Sequence, residues 1–253
     1  MAGRYDDLAG KTVFISGGAT GIGSDLVIAF HGQGARVVFC DIDAAEGEAL
    51  AARLAAAPGE APVFVKADVT DDAALVAAIA RAEAWGGLDI LVNNAANDLR
   101  KPIADSDAEQ WRRLVDVNLR HQYVAGREAA RLMTPRKAGV IINFGSVAPE
   151  VTVENLSIYN MCKAGVRGLT RSFATDLGKH GIRVVSILPG AVLTPKQRTL
   201  WFPDQPAIDA MVAQQMLPIE LNGGHIAAMA LFLASDAASG CTGQNYIVDA
   251  GLI

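Results

Sequence analysis

The sequence has few cysteines and no long apolar run. Cys40, Cys162 and Cys241 are widely spaced and include no Cys-x-x-Cys pair, so they indicate neither a disulfide framework nor a zinc site. No stretch approaches the roughly 20 apolar residues that span a bilayer, and residues 1–11 are polar, unlike a signal peptide. We therefore expect a cytoplasmic protein with no metal site and no membrane segment.

Positive charge and aromatic side chains are also scarce. The 22 lysines and arginines against 27 aspartates and glutamates give a formal net charge of -5. An acidic chain without a basic cluster lacks the electrostatic footprint of a nucleic-acid-binding protein. The chain is 51% hydrophobic but only 6% aromatic, which is typical of a parallel sheet packed between helices of small residues.

Short apolar strands alternate with helical patterns along the chain. Strands are predicted at 11–16, 35–40, 62–66, 88–92, 139–144, 183–188 and 244–248, with helices at 22–30, 44–56 and 71–85. This alternation predicts right-handed crossovers and a doubly wound, Rossmann-type parallel sheet of about seven strands with helices on both faces. No linker interrupts the pattern, so we expect a single α/β domain over residues 1–253.

Residues 194–218 carry little regular signal. Pro195, Pro203, Pro206 and Pro218 interrupt this segment between the sixth strand and a later helix. Irregular segments of this length in compact domains are usually functional. We expect a substrate-binding lid, with an ordinary surface loop as the alternative.

A glycine-rich turn follows the first predicted strand and opens the first helix. Gly17, Gly21 and Gly23 have the spacing Gly-x-x-x-Gly-x-Gly, which differs from the Gly-x-Gly-x-x-Gly fingerprint. Glycines at such a junction let the backbone approach a pyrophosphate, and the helix N-terminus supplies N–H donors. The segment predicts a dinucleotide site, the alternative being a tight turn without a ligand.

Acidic residues follow the second and third predicted strands. Asp41, 18 residues beyond Gly23, is placed to accept hydrogen bonds from the adenosine ribose hydroxyls and would repel a 2′-phosphate. No Arg or Lys occurs in the next three residues, so the pattern favours NAD over NADP. Asp41 could instead begin a turn or, with Asp43, cap the next helix. Asp68 could accept from the adenine amino group or, like Thr70, cap a helix.

Small polar residues follow the fourth predicted strand. Asn93, Asn94 and Ala95 lie at the carboxyl edge, where doubly wound sheets bind ligands. Their small side chains would let a dinucleotide lie close to the backbone. Asn93 or Asn94 could also tie neighbouring strands together, and the two roles are compatible.

A serine, a tyrosine and a lysine supply acid/base chemistry. Ser146 follows the fifth strand, Tyr159 comes thirteen residues later, and Lys163 follows four residues after that. A spacing of four on one helix puts Tyr159 and Lys163 on the same face, although such a pair is common on exposed helices. A free phenol has a pKa of about 10, which a neighbouring ammonium group lowers. Ser146 could then hold a substrate oxygen against Tyr159 for proton transfer.

With these residues in place, the chain resembles the short-chain dehydrogenase/reductase family over essentially its whole length. The shared positions occur in family order: Gly17, Gly21, Ile22, Gly23, Asp68, Asn93, Asn94, Ala95, Asn118, Ser146, Tyr159, Lys163, Pro189, Gly190 and Thr194. One departure is Ala96, where the family usually has glycine. The resemblance implies that Ser146, Tyr159 and Lys163 act as a triad, with Asn118 holding a water that relays protons to Lys163.

The same resemblance implies an NAD site and an assembly. The cofactor-binding residues would be Gly17, Thr20, Gly21, Ile22, Gly23, Asp41, Asp68, Val69, Asn94, Ala95, Tyr159, Lys163, Pro189, Gly190, Val192 and Thr194. A homotetramer is expected, with the helices that carry Asn118 and Tyr159 and the C-terminal segment at its interfaces. The apolar faces of those helices could equally be buried within one subunit.

Polar groups near the predicted cleft favour a polyhydroxylated substrate. They could hydrogen-bond several hydroxyls while an aromatic face lies against a ring, although each alone could be a solvated surface residue. The predicted substrate-binding residues are Asn97, Arg100, Ser146, Tyr159, Gln197 and Trp201.

Residues 94–100, 117–121, 142–146, 201, 233–236 and 241–243 are similar to bacterial short-chain dehydrogenases that oxidise aldoses of the D-xylose, galactose, arabinose and fucose type. This similarity implies that Tyr159 takes the proton of the anomeric hydroxyl while C1 gives a hydride to NAD, leaving an aldonolactone. The alternatives are a dehydrogenase of another alcohol or polyol, a 3-oxoacyl thioester reductase, or a non-catalytic dinucleotide sensor. Asp41 and the acidic chain disfavour the thioester reductase, and the intact triad disfavours the sensor.

Overall fold

The computed structural model describes residues 3–253, and a parallel sheet forms its centre. The strands are β1 Thr12–Ser16, β2 Arg36–Asp41, β3 Val63–Lys66, β4 Ile90–Asn93, β5 Gly139–Phe144, β6 Ile182–Pro189 and β7 Asn245–Val248. They lie in the order β3-β2-β1-β4-β5-β6-β7, and every pair is parallel. The predicted doubly wound sheet of seven strands is thereby confirmed.

Helices cover both faces of the sheet. They are α1 Gly21–Gly32, α2 Ala44–Ala55, α3 Asp72–Ala80, α4 Ala108–Val115, α5 His121–Met133, α6 Ser157–Leu177, α7 Pro195–Leu200, α8 Gln205–Val212 and α9 Gly223–Ala234. Because successive strand residues point to opposite faces, Val13 and Ile15 pack with α1 and α9, whereas Phe14 packs with α3 and α5. Two apolar cores therefore hold the sheet between two helical layers.

The order of the strands places a crevice between β1 and β4. The chain runs from β1 outward to β2 and β3 and then crosses back to β4 on the other side of β1. At such a reversal the connections leave in opposite directions and open a crevice at the carboxyl ends of the strands. Ser16, Asn93 and Asn143 lie in register there, at or near the ends of β1, β4 and β5.

The segment 194–218 is more regular than its sequence led us to expect. It contains α7 and α8, so the expectation of little regular structure was wrong. Thr194 caps α7 and Asp204 caps α8, and a proline lies in the first turn of each helix. Proline is favoured there because its missing N–H would have no helical partner. Pro195 and Pro206 therefore begin helices instead of breaking them.

No helix in residues 3–253 is both long and apolar enough to cross a membrane. Within the same range, no three His, Cys, Asp or Glu side chains converge as potential metal ligands. Cys40 and Cys162 are buried and Cys241 is half-buried, all as free thiols.

Candidate active site

A cleft of about 1970 Å³ opens at the carboxyl ends of the central strands. Pockets for one small ligand measure about 300–1,000 Å³, so this cleft has room for a dinucleotide and a second molecule. The residues predicted to be catalytic, cofactor-binding or substrate-binding all line it except Asn118, which is buried, and Asn93 is buried as well. The fold thus brings together segments that are far apart in the chain.

At the glycine turn, three backbone segments lie very close to one another. Gly17 and Gly21 have positive φ angles of 67° and 56°, which side-chain-bearing residues rarely adopt. A Cβ atom on Gly17 would lie 2.7 Å from the Cα of Ala95, and one on Gly23 would collide with the carbonyl of Gly17. Asn94 secures the turn by donating from Nδ2 to the Gly17 carbonyl at 2.8 Å. Asn94 therefore ties β4 to the turn, as one reading of the sequence expected.

Helix α1 begins in this turn without a side-chain cap. Thr20 makes no capping hydrogen bond, whereas Asp43 and Asp71 cap α2 and α3. The first-turn N–H groups of α1 therefore have no side-chain acceptor, and residues 20–23 line the cleft. This arrangement fits the pyrophosphate of a nicotinamide dinucleotide, which needs several converging backbone donors.

Asp41 lies between the glycine turn and α2. Its Oδ2 accepts from the backbone N–H of Ala19 at 3.0 Å, and its Oδ1 accepts from that of Asp43 at 3.1 Å. Asp43, by accepting from the N–H of Glu46 at 3.2 Å, is the residue that caps α2. Asp41 thus begins the turn and still lines the cleft, where a ribose could bind to it.

Asp68 is exposed at the adenosine end of the cleft. Its Oδ1 accepts from the backbone N–H and the hydroxyl of Thr70, at 2.9 and 2.8 Å. Asp71 caps the following helix, so neither Asp68 nor Thr70 does. The second carboxylate oxygen of Asp68 can still accept from a ligand.

Tyr159 and Lys163 lie one turn apart on α6. Lys163 is only 1% exposed, and its Nζ donates to the carbonyl oxygen of Phe144 at 2.8 Å. The same Nζ lies 5.5 Å from the centre of the Tyr159 ring. Burial lowers the pKa of Lys163 to about 8. The lysine is therefore held beneath the tyrosine by the last carbonyl of β5.

The pKa of Tyr159 is higher than its sequence context suggests. Burial raises it to about 12; a hydrogen bond with Ser146 lowers it and the charge of Asp98 raises it. The expected lowering of this pKa by Lys163 is not found, because the loss of hydration on burial destabilises the phenolate more than the neighbouring groups stabilise it. Additional positive charge, such as that of an oxidised nicotinamide ring, is what a phenolate would require here.

Ser146 is half-buried just beyond β5 and lines the cleft beside Tyr159. Its Oγ accepts from the backbone N–H of Ala148 at 3.0 Å. That bond uses an oxygen lone pair and leaves the O–H as a donor. Ser146 can therefore donate to an oxygen that also faces Tyr159.

Asn118 lies behind the cleft in a π-helical turn, Asp116–Arg120, between α4 and α5. Its Oδ1 accepts from the N–H of Asn97, and its Nδ2 donates to the carbonyls of Asn97 and Leu114, each at 2.9 Å. The side chain therefore fixes the loop that follows β4. The water relay that the family resemblance implies stays a prediction.

Residues 189–194 join the floor of the cleft to the segment 194–218. The backbone of Gly190 approaches that of Asp249, where an added Cβ would lie 2.7 Å from the Cα of Asp249. Thr194 caps α7 by accepting from the N–H of Gln197 at 3.2 Å. The predicted cofactor-binding residues of this segment are thus continuous with the first helix of the predicted lid.

A polar cluster at the mouth of the cleft centres on Asp98, which lies between the predicted substrate-binding residues Asn97 and Arg100. Its Oδ1 accepts from Lys196 Nζ at 2.5 Å, and its Oδ2 accepts from Gln197 Nε2 and Trp201 Nε1 at 2.7 and 3.2 Å. The guanidinium of Arg100 lies 3.7 Å from the centre of the Trp201 ring, at cation–π distance. We call Asp98, Arg100, Lys196, Gln197 and Trp201 the Asp98 cluster.

One wall of the cleft, the loop after β5 with Val151, Thr152 and Val153, was not predicted from the sequence. Helix α8, which contributes Met211, lies within the predicted lid. Neither segment has a distinctive motif.

Comparisons with known proteins agree with this geometry. A family model described as enoyl-(acyl carrier protein) reductase matches residues 17–253. The chain is 41% identical to the D-xylose 1-dehydrogenase of Caulobacter vibrioides, over 98% of this chain and 97% of that one. It is 40% identical to the "Probable galactose dehydrogenase GalD" of Rhizobium meliloti, again over 98% and 97%.

A solved structure extends the comparison to three dimensions. A double mutant of a short-chain dehydrogenase/reductase from Serratia marcescens matches with a TM-score of 0.88 and 33% identity, over 97% of this chain and 99% of that one. In this chain the glycine turn, Ser146, Tyr159 and Lys163 line one cleft of the seven-stranded parallel sheet. The chain belongs to the short-chain dehydrogenase/reductase family, whose members are oxidoreductases that use a nicotinamide dinucleotide.

Proposed function

We propose that this protein oxidises an aldose at C1 and transfers the hydride to NAD, giving an aldonolactone. The observation that carries the proposal is the Asp98 cluster, which lines the same cleft as Tyr159. Its ammonium, amide and guanidinium groups suit several hydroxyls, and the indole suits the C–H face of a ring. The names of the relatives at 41% and 40% identity favour the same substrate class.

Tyr159 is the proposed base and Ser146 the proposed donor to the reacting oxygen. In the oxidation, the O–H bond of the anomeric hydroxyl breaks and its proton goes to the Tyr159 oxygen. The hydrogen on C1 would leave as a hydride with the electron pair of the broken C1–H bond, for which NAD in the proposed site would supply the acceptor, and C1 would become the lactone carbonyl. Ser146 orients the oxygen, and Lys163 supplies an ammonium group 5.5 Å from the centre of the Tyr159 ring.

NAD is the proposed cofactor because the adenosine end of the cleft is acidic. Asp41, Asp43 and Glu46 line it, against a single Arg53 on α2. A ribose diol can donate to Asp41, whereas the negative charge of Asp41 would repel the 2′-phosphate of NADP. Asp68, Val69 and residues 189–194 complete the proposed cofactor contacts.

Residues 194–218 are the proposed lid. Helices α7 and α8 contribute Gln197, Trp201 and Met211 to the cleft wall. Side-chain hydrogen bonds from Lys196, Gln197 and Trp201 fasten α7 to the loop after β4.

We also propose a homotetramer working in the cytoplasm. Large apolar side chains are exposed on the helices and strand that the family resemblance places at interfaces, including Tyr123 at 50%, Met161 at 40% and Ile247 at 47%. Burial against other copies would remove them from water. Light scattering during gel filtration should give four times the 26.5 kDa chain mass; a monomer would refute the assembly.

The substrate proposal is tested with purified protein, NAD and a panel of pentoses, hexoses and deoxyhexoses at mildly alkaline pH. A rise in absorbance at 340 nm with at least one aldose is expected, and no rise with Tyr159→Phe. Turnover of a 3-oxoacyl thioester with NADPH, and of no aldose, would instead support the thioester reductase. NAD binding without turnover of any alcohol would support a sensor.

A further inference from the structure

A single carboxylate, that of Asp98, lies at the centre of the Asp98 cluster. We propose that Asp98 is a specificity-determining residue, which holds Lys196, Gln197 and Trp201 as one surface that selects substrates by their hydroxyls. The inference rests on the proposed aldose oxidation and identifies the residue through which the sugar is distinguished from other alcohols.

Asp98 is the only acceptor that these three donors share among the described residues. The carboxylate follows β4, whereas Lys196, Gln197 and Trp201 all belong to or adjoin α7. The Asp98 side chain is 17% exposed and that of Lys196 is 52% exposed, so the ion pair spans the boundary between the cleft and water. Asp98 therefore determines where α7 and its side chains stand relative to the sheet.

The contacts to Asp98 leave donors that a polyol can satisfy. Lys196 retains two of its three N–H groups and Gln197 retains one of its two, since each gives one to Asp98. The Nε of Arg100 is buried and has no hydrogen-bond partner within residues 3–253. Hydroxyl oxygens are acceptors for such groups, whereas an apolar alcohol would leave the buried Nε of Arg100 unpaired. Sites of this kind reject analogues that lack the expected hydroxyl more strongly than apolar pockets do.

Charge neutralisation keeps the centre of the cluster ionised. Burial raises the pKa of Asp98, but the hydrogen bonds and charge of Lys196, together with Gln197, outweigh it and hold the pKa below its ordinary value. The other ionisable groups near Asp98 are Arg100, Tyr159 and Lys163. Because the carboxylate raises the pKa of Tyr159, removing its charge should favour the phenolate.

The experiment compares an aldose with its monodeoxy analogues in three proteins: wild type, Asp98→Asn and Asp105→Asn. Asp105 is an exposed aspartate in the same connection whose side chain makes no hydrogen bond within residues 3–253, so its variant controls for loss of one negative charge. For at least one hydroxyl, its deletion should lower kcat/KM about tenfold or more in the wild type. In Asp98→Asn that ratio should fall toward one, mainly through a higher KM for the parent sugar, while Asp105→Asn should match the wild type.

Two further readouts separate recognition from a general structural defect. With Trp85→Phe and Trp111→Phe in the background, Trp201 is the remaining tryptophan, and Asp98→Asn should shift its emission to longer wavelength as the indole gains water. The pH at which kcat rises should move downward, since the charge that opposes the phenolate is gone. A merely structural role would lower the rates for all sugars equally and leave this pH unchanged.

The outcomes distinguish the two proposals. If the wild type oxidises an aldose but deoxy ratios are the same in Asp98→Asn, the role of Asp98 is refuted and the proposed function stands. If the wild type oxidises no aldose, the proposed function fails and sugar selection by Asp98 fails with it. In that case an unshifted Trp201 emission would also refute the positioning of α7 by Asp98.

Discussion

Gln122 and Lys163 donate to the same oxygen, the carbonyl of Phe144, at 3.2 and 2.8 Å. The amide of Gln122 also donates to the carbonyl of Asn118 at 3.3 Å. Gln122 is fully buried and Lys163 nearly so, so neither donor has water as an alternative partner. A single glutamine thereby connects the end of β5, the π-helical turn and the lysine of the proposed triad.

Replacement of Gln122 by leucine should destabilise the protein by about 1 kcal/mol, because the Asn118 carbonyl loses a side-chain donor and the Phe144 carbonyl keeps only Lys163. Urea unfolding measures this loss. Gln205→Leu, on exposed α8, should stay within about 0.5 kcal/mol of the wild type. Equal stability of the two variants would show that the Gln122 contacts contribute nothing net.

Tyr159→Phe should lower kcat by at least about a hundredfold and leave the Kd for NAD within a factor of about three, since general acid/base catalysis contributes a factor of about 10²–10⁴. Absorbance at 340 nm and calorimetric titration with NAD measure the two quantities. Ser146→Ala should also lower kcat, because the reacting oxygen loses its donor. Turnover by Tyr159→Phe near the wild-type rate would rule out the tyrosine as the base.

His121 should make the protein sensitive to acid. Burial and the charge of Lys163 lower its pKa from 6.5 to about 3. Between these values the unfolded chain binds a proton that the native protein does not, so stability falls as pH decreases below 6.5. The loss from this group is about 1.4 kcal/mol per pH unit.

Urea unfolding between pH 6.5 and 4.5 tests the role of His121. His121→Gln should lose less stability over this range than the wild type, whereas His180→Gln, at a half-buried surface position, should keep the wild-type slope. Identical slopes for all three proteins would mean that another group governs the acid response.

Asp41→Asn should shift the cofactor preference toward NADP. The amide oxygen can still accept from the N–H groups of Ala19 or Asp43, so the turn keeps a partner while the negative charge is lost. We expect the ratio of kcat/KM for NAD to that for NADP to fall about tenfold or more, which corresponds to about 1.4 kcal/mol. Asp105→Asn again provides the control, and an unchanged ratio would remove Asp41 from the determinants of cofactor choice.

The strands and the edge at which ligands bind could be predicted because both depend on short-range patterns. Each strand is a short apolar run followed by a turn residue, and parallel strands place their carboxyl ends together. Gly17, Asn94, Ser146 and Pro189 therefore converge on one cleft, as expected from their positions after successive strands.

The features of the site that could not be predicted from the sequence depend on long-range contacts and on burial. Asp98 meets its partners on α7 across 98 to 103 residues of chain, a distance that no local motif encodes. The pKa of Tyr159 depends on water excluded by distant segments, which the spacing to Lys163 does not reveal. The prolines near α7 and α8 did not by themselves predict a structure, because proline as a residue type can either end a helix or occupy the first turn of one.

The π-helical turn at Asp116–Arg120 makes the length of this segment as important as its composition. A π turn accommodates one residue more than the α-helical ladder around it. Deleting one residue there would remove the extra residue and restore the regular ladder, so that α4 and α5 keep their register while the backbone at Asn118 takes another orientation. Asn118 would then turn away from Asn97, and the loop that presents Asp98 to the cleft would lose its anchor without any change in the residues that touch substrate.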